Sequence, residues 1–391
     1  MLRDECAPLL VASEVHAWGV SEEDPMNKSA VLTITFLAAA CYTAVGSQQD
    51  TDNVAQDTNT VAQAVGIVPL PPWPAGDQRG MGNTQSFGTR RRCALNMLNP
   101  DSKEYELSHV RSQTMPVSPF GAPLTYTFRP TSALPQTRHA FNGESVCGEP
   151  GAQGTQMDAL GHFAHFDAVW NGTGLPPLAT AKYYNNFTQA QVKPAPDSPL
   201  LKLGIEKVPP IITSAVLLDA RTFIGHGAPL AAGQLITAAH INGMLVAQGM
   251  AVRGILPGDV VYIYTGWEDY WQDPDMLQVY YTKGPGLSQD ATFLLRDKAV
   301  VLVALDNPFT DPVADGQLAG GPPPAGTPPG LPFVAHHQNL SVSGIHQIQN
   351  AHLEEMAADH VWTSCTIILP LLEKGGSGSP VRPVAYGAPS N

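Results

Sequence analysis

The apolar positions fall into short, dense runs rather than long amphipathic stretches. Residues 215–219 (AVLLD), 259–264 (DVVYIY), 299–305 (AVVLVAL) and 363–369 (TSCTIIL) are rich in β-branched side chains and predict strands. Several of these runs are apolar without alternation, the pattern of strands covered on both faces. Helical spacing predicts a helix over 232–248, where Ile236, Ala239, His240, Met244 and Leu245 lie near one face, and a second over 288–296. Strands alternating with helices imply an α/β fold.

Between these elements the pattern breaks in two places. Residues 316–331 contain GGPPPAGTPPG, and proline at that density fits neither helix interiors nor central strands, so a surface loop is expected. Residues 26–46 read MNKSAVLTITFLAAACYTAVG: one lysine, an apolar run from Ala30 to Ala40, then small residues. That is the layout of an export signal, and the run is short for a bilayer span. Ala38-Ala39-Ala40-Cys41 resembles a lipobox, which would make Cys41 a lipidated N-terminus. Ala44-Val45-Gly46 offers soluble secretion instead. Residues 1–25 are then an unstructured upstream segment, 47–64 a polar linker, and 65–391 one catalytic domain. The expected location is secreted or periplasmic, with a membrane anchor through Cys41 as one option.

Composition narrows the partners. The 391 residues carry a net charge of −13 with 43% hydrophobic content, which suits a sizeable core and disfavours nucleic acid as a partner. Dinucleotide and P-loop glycine motifs are missing, so no nucleotide cofactor is expected, and no G-x-S-x-G serine elbow is present. Of the five cysteines, Cys6, Cys41, Cys93, Cys147 and Cys365, none forms a C-x-x-C pair. With Cys6 and Cys41 set aside, three remain, and one disulfide is possible in an oxidising compartment without the pair being readable.

The chemistry-bearing stretch is Gly154-Thr155-Gln156-Met157-Asp158-Ala159-Leu160-Gly161-His162, followed by His165. A carboxylate and imidazoles at short spacing suit a metal site. A second group is His336-His337 with Gly344-Ile345 and Gln349-Asn350. Trp267, Tyr270 and Trp271 follow a predicted strand, where they would line an apolar pocket or pack in the core.

These stretches resemble the signature of the metal-dependent cyclase family, which includes kynurenine formamidases and isatin hydrolases: H-x-G-T-H-x-D-x-P-x-H, then a later His, Gly-Ile and Glu-Asn. Gly154, Thr155, Asp158 and His162 match. Ala152, Gln156 and Leu160 depart from the pattern, Gln156 as in a G-T-Q-x-D branch, and Gln349 stands where the family has Glu. Lys207-Val208-Pro209-Pro210-Ile211, Pro257-Gly258-Asp259, Thr265-Gly266-Trp267 and Gly284-Pro285-Gly286-Leu287-Ser288 also match, so the resemblance runs from about residue 115 to 386.

The resemblance implies a single swivelling β/β/α-type domain with a mixed sheet and surrounding helices, in a homodimer or higher oligomer. It implies hydrolysis of a small amide, cyclic amide or lactone by metal-activated water, a reaction at carbon–nitrogen bonds other than peptide bonds. Asp158, Gln156, His337 and Gln349 are the expected metal ligands, for zinc or manganese, with one ion per chain at most because a glutamine replaces a carboxylate. His162 is the expected general base with His165 in reserve, and Trp267, Tyr270 and Thr155 are expected at the substrate. Two alternatives remain open: a metal-free cyclase or isomerase using an Asp158–His162 pair, and a catalytically silent binding protein.

Overall fold

The computed structural model describes residues 67–390. The signal-like segment 26–46 with Cys41, the upstream residues 1–25 and the linker 47–64 lie outside the described residues. Within them, nine strands form one mixed sheet: β1 (Lys103–Glu106), β2 (Gln156–Asp158), β3 (Ile211–Asp219), β4 (Val260–Tyr264), β5 (Leu302–Leu305), β6 (His346–Gln349), β7 (Thr363–Ile368), β8 (Gly378–Pro380) and β9 (Val384–Gly387). Their spatial order is β1-β9-β7-β3-β4-β5-β6-β2-β8.

The central four, β3, β4, β5 and β6, run parallel. Every residue of β4 and β5 is buried, which is why these segments are apolar without alternation. Toward each edge the pairing turns antiparallel, through β7, β9 and β1 on one side and β2 and β8 on the other. The candidate site residues Gln156, Asp158 and Gln349 sit where this change occurs, on β2 and the adjoining strand β6.

Helices α1 (Phe87–Met97), α2 (Ala238–Ala247) and α3 (Gln289–Asp297) surround the sheet. Ser86 caps α1 reciprocally with Thr89. The helix expected over 232–248 begins only at Ala238. Leu235–Ile236 instead pairs parallel with Gly286–Leu287, and Thr237 caps the helix by accepting from His240 N. The predicted strand 299–305 begins at Leu302, because Ala299 has φ +51° and still belongs to the turn after α3. The proline-rich stretch 316–331 is a loop with one short 3₁₀ turn, as expected from its composition.

Two cross-links tie α1 to the sheet. Cys93 in α1 is disulfide-bonded to Cys365 in β7. Arg92 pairs with buried Asp259 at the head of β4, and Asp259 also binds Arg253 and Ser214. Among the described residues no helix is long and apolar enough to cross a membrane.

Candidate active site

Side chains alternate between faces along a strand. In β2 this puts Gln156 and Asp158 on one face and Met157 on the other, in the core with Ile348. Register does the rest. Gln349 lies opposite Gln156, and Gly378 of β8 lies opposite Asp158. Both Gln347 and Gln349 therefore reach Asp158, donating to its Oδ2 at 3.0 and 2.7 Å.

The third contact of Asp158 is His336, whose Nε2 lies 3.4 Å from the same oxygen. His336 ends a helical turn (Val334–His336) that runs into a π-helix (His337–Ser343). Its orientation is set by Asp311, a fully buried carboxylate that accepts from His336 Nδ1 and from the backbone N–H groups of Ala335 and His336. An imidazole held on one nitrogen by a carboxylate, with the other nitrogen aimed at a site, is the usual outer support of a metal-binding histidine.

The charges follow from this arrangement. Burial by itself would raise the Asp158 carboxyl, but the His162 and His336 imidazoles and the Gln347 amide outweigh it and hold the carboxyl well below the usual carboxylate range. Burial would lower the His336 imidazole, but Asp311 and Asp158 prevail and push it up to about 10.

Asp158, His336 and exposed His162 form a donor group with ligand atoms all within 4.8 Å of one another. They line a cavity of about 610 Å³ whose walls include Phe120, Phe163, Phe309 and Phe333 together with Glu149 and Glu373. Two amide oxygens, Gln156 Oε1 and Gln349 Oε1, are buried without a hydrogen-bond partner. Buried orphan oxygens beside a carboxylate and two imidazoles are a donor set that a divalent cation would satisfy, so the residues present fit a metal.

The model of the cyclase family, described as "Putative cyclase", matches residues 105–312, just over half of the chain. The chain belongs to the cyclase family. The matched span includes Asp158 and His162 and ends before His336. The crystal structure of a novel cyclase superposes with a TM-score of 0.64 at 24% identity, covering 80% of this chain and 97% of that one. That likeness shows the fold. An isatin hydrolase bound to the product analogue thioisatinate gives 0.48 at 18% identity (75% and 96% covered), and isatin hydrolase A from Ralstonia solanacearum gives 0.48 at 18% (75% and 95%). No curated protein compared with the chain matches it.

Within this cyclase-family fold, Gln156, Asp158, His162 and Gln349 converge on one cavity. His337, expected beside Asp158, does not. Neighbouring residues on a helix point in directions about 100° apart, and Asp311 selects His336 for the site. His337 instead meets His165 edge-on, with ring centroids 4.9 Å apart, and both line a separate cavity. His165, also expected in the site, is held there by a backbone bridge to Lys182. Thr155 is buried, donating to Asn350 O at 2.6 Å and accepting from His109 N. Trp267 is 2% exposed and donates to Tyr280 O, with Tyr270 packed beside it, and neither lines the cavity. The sequence reading passed over Asp311, Gln347 and the four phenylalanines. The available signal was Asn307-Pro308-Phe309-Thr310-Asp311, a run that leaves the carboxyl end of β5, where α/β sheets place ligand groups.

Proposed function

We propose that this cavity is the active site of a metal-dependent hydrolase acting on a small amide, cyclic amide or lactone. The observation that carries the reading is the Asp158–His336–His162 donor group beside the orphan oxygens of Gln156 and Gln349, all lining one cavity with phenylalanine walls. Asp158 and His336 would hold the ion, aided by the two glutamines. Zinc and manganese both suit mixed nitrogen and oxygen donors. A divalent cation there supplies Lewis acidity, lowering the pKa of water and polarising a carbonyl.

The chain's own groups do the remainder. Asp311 fixes His336 and keeps its imidazole aimed at Asp158. His162, exposed to the cavity, accepts the proton from the attacking water and returns it to the leaving group. The phenylalanine walls receive the apolar part of the substrate and exclude water around it. The Cys93–Cys365 disulfide supports export to an oxidising compartment.

A second reading has an observation of its own. Asp311, His336 and Asp158 form a carboxylate–imidazole–carboxylate chain in which His336 pairs with both acids without an ion, which favours a metal-free acid–base site.

Elemental analysis with steady-state kinetics on the wild type, Asp158→Asn and His162→Ala separates the two. The metal reading expects Asp158→Asn to lose one equivalent of ion together with turnover. It expects His162→Ala to keep the ion and lose roughly 10²–10⁴ in kcat. Metal content and rate unchanged in Asp158→Asn would refute it, and full turnover after chelation would establish the metal-free site.

A further inference from the structure

A second group of metal-type donors lies outside the Asp158 cavity: His109, Glu268 and His352. They come from three distant parts of the chain. His109 follows β1, Glu268 sits in the 3₁₀ turn Trp267–Tyr270 after β4, and His352 follows β6. An antiparallel bridge between Ser108 and Ala351 and the bond from His352 N to Leu107 O bring the first and last together.

The group is held from outside as well as from within. The His109 ring stacks on Trp271, with centroids 4.2 Å apart and planes 10° from parallel. Glu268 accepts from Leu353 N at 3.1 Å through Oε1, and from His352 Nδ1 at 2.8 Å through Oε2. His109 Nε2 stands 3.8 Å from Glu268 Oε2, beyond hydrogen-bond range. That nitrogen is buried with no hydrogen-bond partner, on a side chain only 9% exposed. An imidazole nitrogen shut away from water and aimed at a carboxylate it does not reach is an unmet donor position.

A cation meets it. With bonds of about 2.0–2.1 Å, a tetrahedral zinc-type ion separates its ligand atoms by about 3.3 Å. The two contacts to Glu268 Oε2, 2.8 and 3.8 Å, lie on either side of that spacing. His352 is 35% exposed, which leaves the ion a path from solvent and a side open to water.

We propose that His109, Glu268 and His352 form a second divalent-cation site, taking a zinc-type ion through two imidazoles and one carboxylate. None of the three lines the Asp158 cavity, so this site stands whether or not the first binds metal. Its presence would raise the expected count from one ion per chain to two.

The test uses the chelator-treated full chain titrated with Co²⁺, following visible absorption and calorimetry. The background is Asp158→Asn, which disables the first site. One equivalent should bind there, and binding should weaken by more than the roughly 10–100-fold typical of an outer-shell change in both His109→Gln and His352→Gln. Circular dichroism establishes that each variant is folded, and His109→Gln serves if His352→Gln is not. Titration of the unmodified chain provides the count free of any folding effect, two equivalents being expected. No Co²⁺ bound in the Asp158→Asn background, or residual binding indifferent to both histidine changes, would overturn the second site. A single equivalent in the unmodified chain that persists undiminished in Asp158→Asn would overturn the active-site metal and leave this one standing.

Discussion

His346 begins β6, the strand that carries Gln347 and Gln349 to Asp158, and it should make this strand sensitive to acid. Its imidazole is fully buried. Nε2 donates to Arg79 O at 3.0 Å, and Nδ1 has no hydrogen-bond partner. Burial pulls its pKa down to about 4. The Arg79 carbonyl and the Asp77 carboxylate oppose this shift, and the Arg79 guanidinium adds to it. The unfolded chain therefore binds this proton near pH 6.5 and the folded chain only near 4. Stability from neutral His346 is complete above the unfolded value and is lost as pH falls toward the folded one. At 1.36 kcal/mol per pH unit the loss is on the order of 3 kcal/mol. The assay is urea unfolding of wild type and His346→Gln at pH 7, 5.5 and 4.5. Other groups titrate in both proteins, so the difference between their pH slopes isolates His346. The wild type should lose stability faster on acidification. Parallel slopes would refute the reasoning, because they would mean that a buried charged imidazole is tolerated at the head of β6.

Replacing both Cys93 and Cys365 by alanine removes a cross-link between residues 272 apart and should lower the unfolding free energy by about 2–5 kcal/mol. Equal denaturation midpoints without reductant would contradict this. Trp267→Phe deletes the bond to Tyr280 O and should cost about 1 kcal/mol of stability while leaving KM unchanged. A clear rise in KM would return Trp267 to the substrate pocket.

Much of the site was legible because it is local. Asp158, Gln156 and His162 lie within seven residues, and the two-residue period of a strand already places Gln156 and Asp158 on one face. Gln349 was legible through the family pattern. The histidine pair was harder to read, since the family spacing to Gly344, Ile345 and Asn350 pointed to His337. Which one enters the cavity depends on the angle at which a helical turn meets Asp311, a residue 25 positions away. The aromatic pocket was misplaced for a related reason. Trp267 and Tyr270 leave β4 as pocket residues would, but Trp267 is buried with Tyr280, Tyr281 and Phe309 in a separate small core, and Tyr270 packs against it.

The sequence alone determined the α/β class, the apolar central strands, the family and the anionic centre at Asp158. These depend on periodicity and on short motifs, which survive without three-dimensional context. Tertiary structure decided which side chains complete the centre. Asp311, His336 and the phenylalanine walls come from separate segments that meet only in the folded chain. Their convergence is a matter of strand register and helix rotation, and a linear pattern holds no information about either until the chain packs.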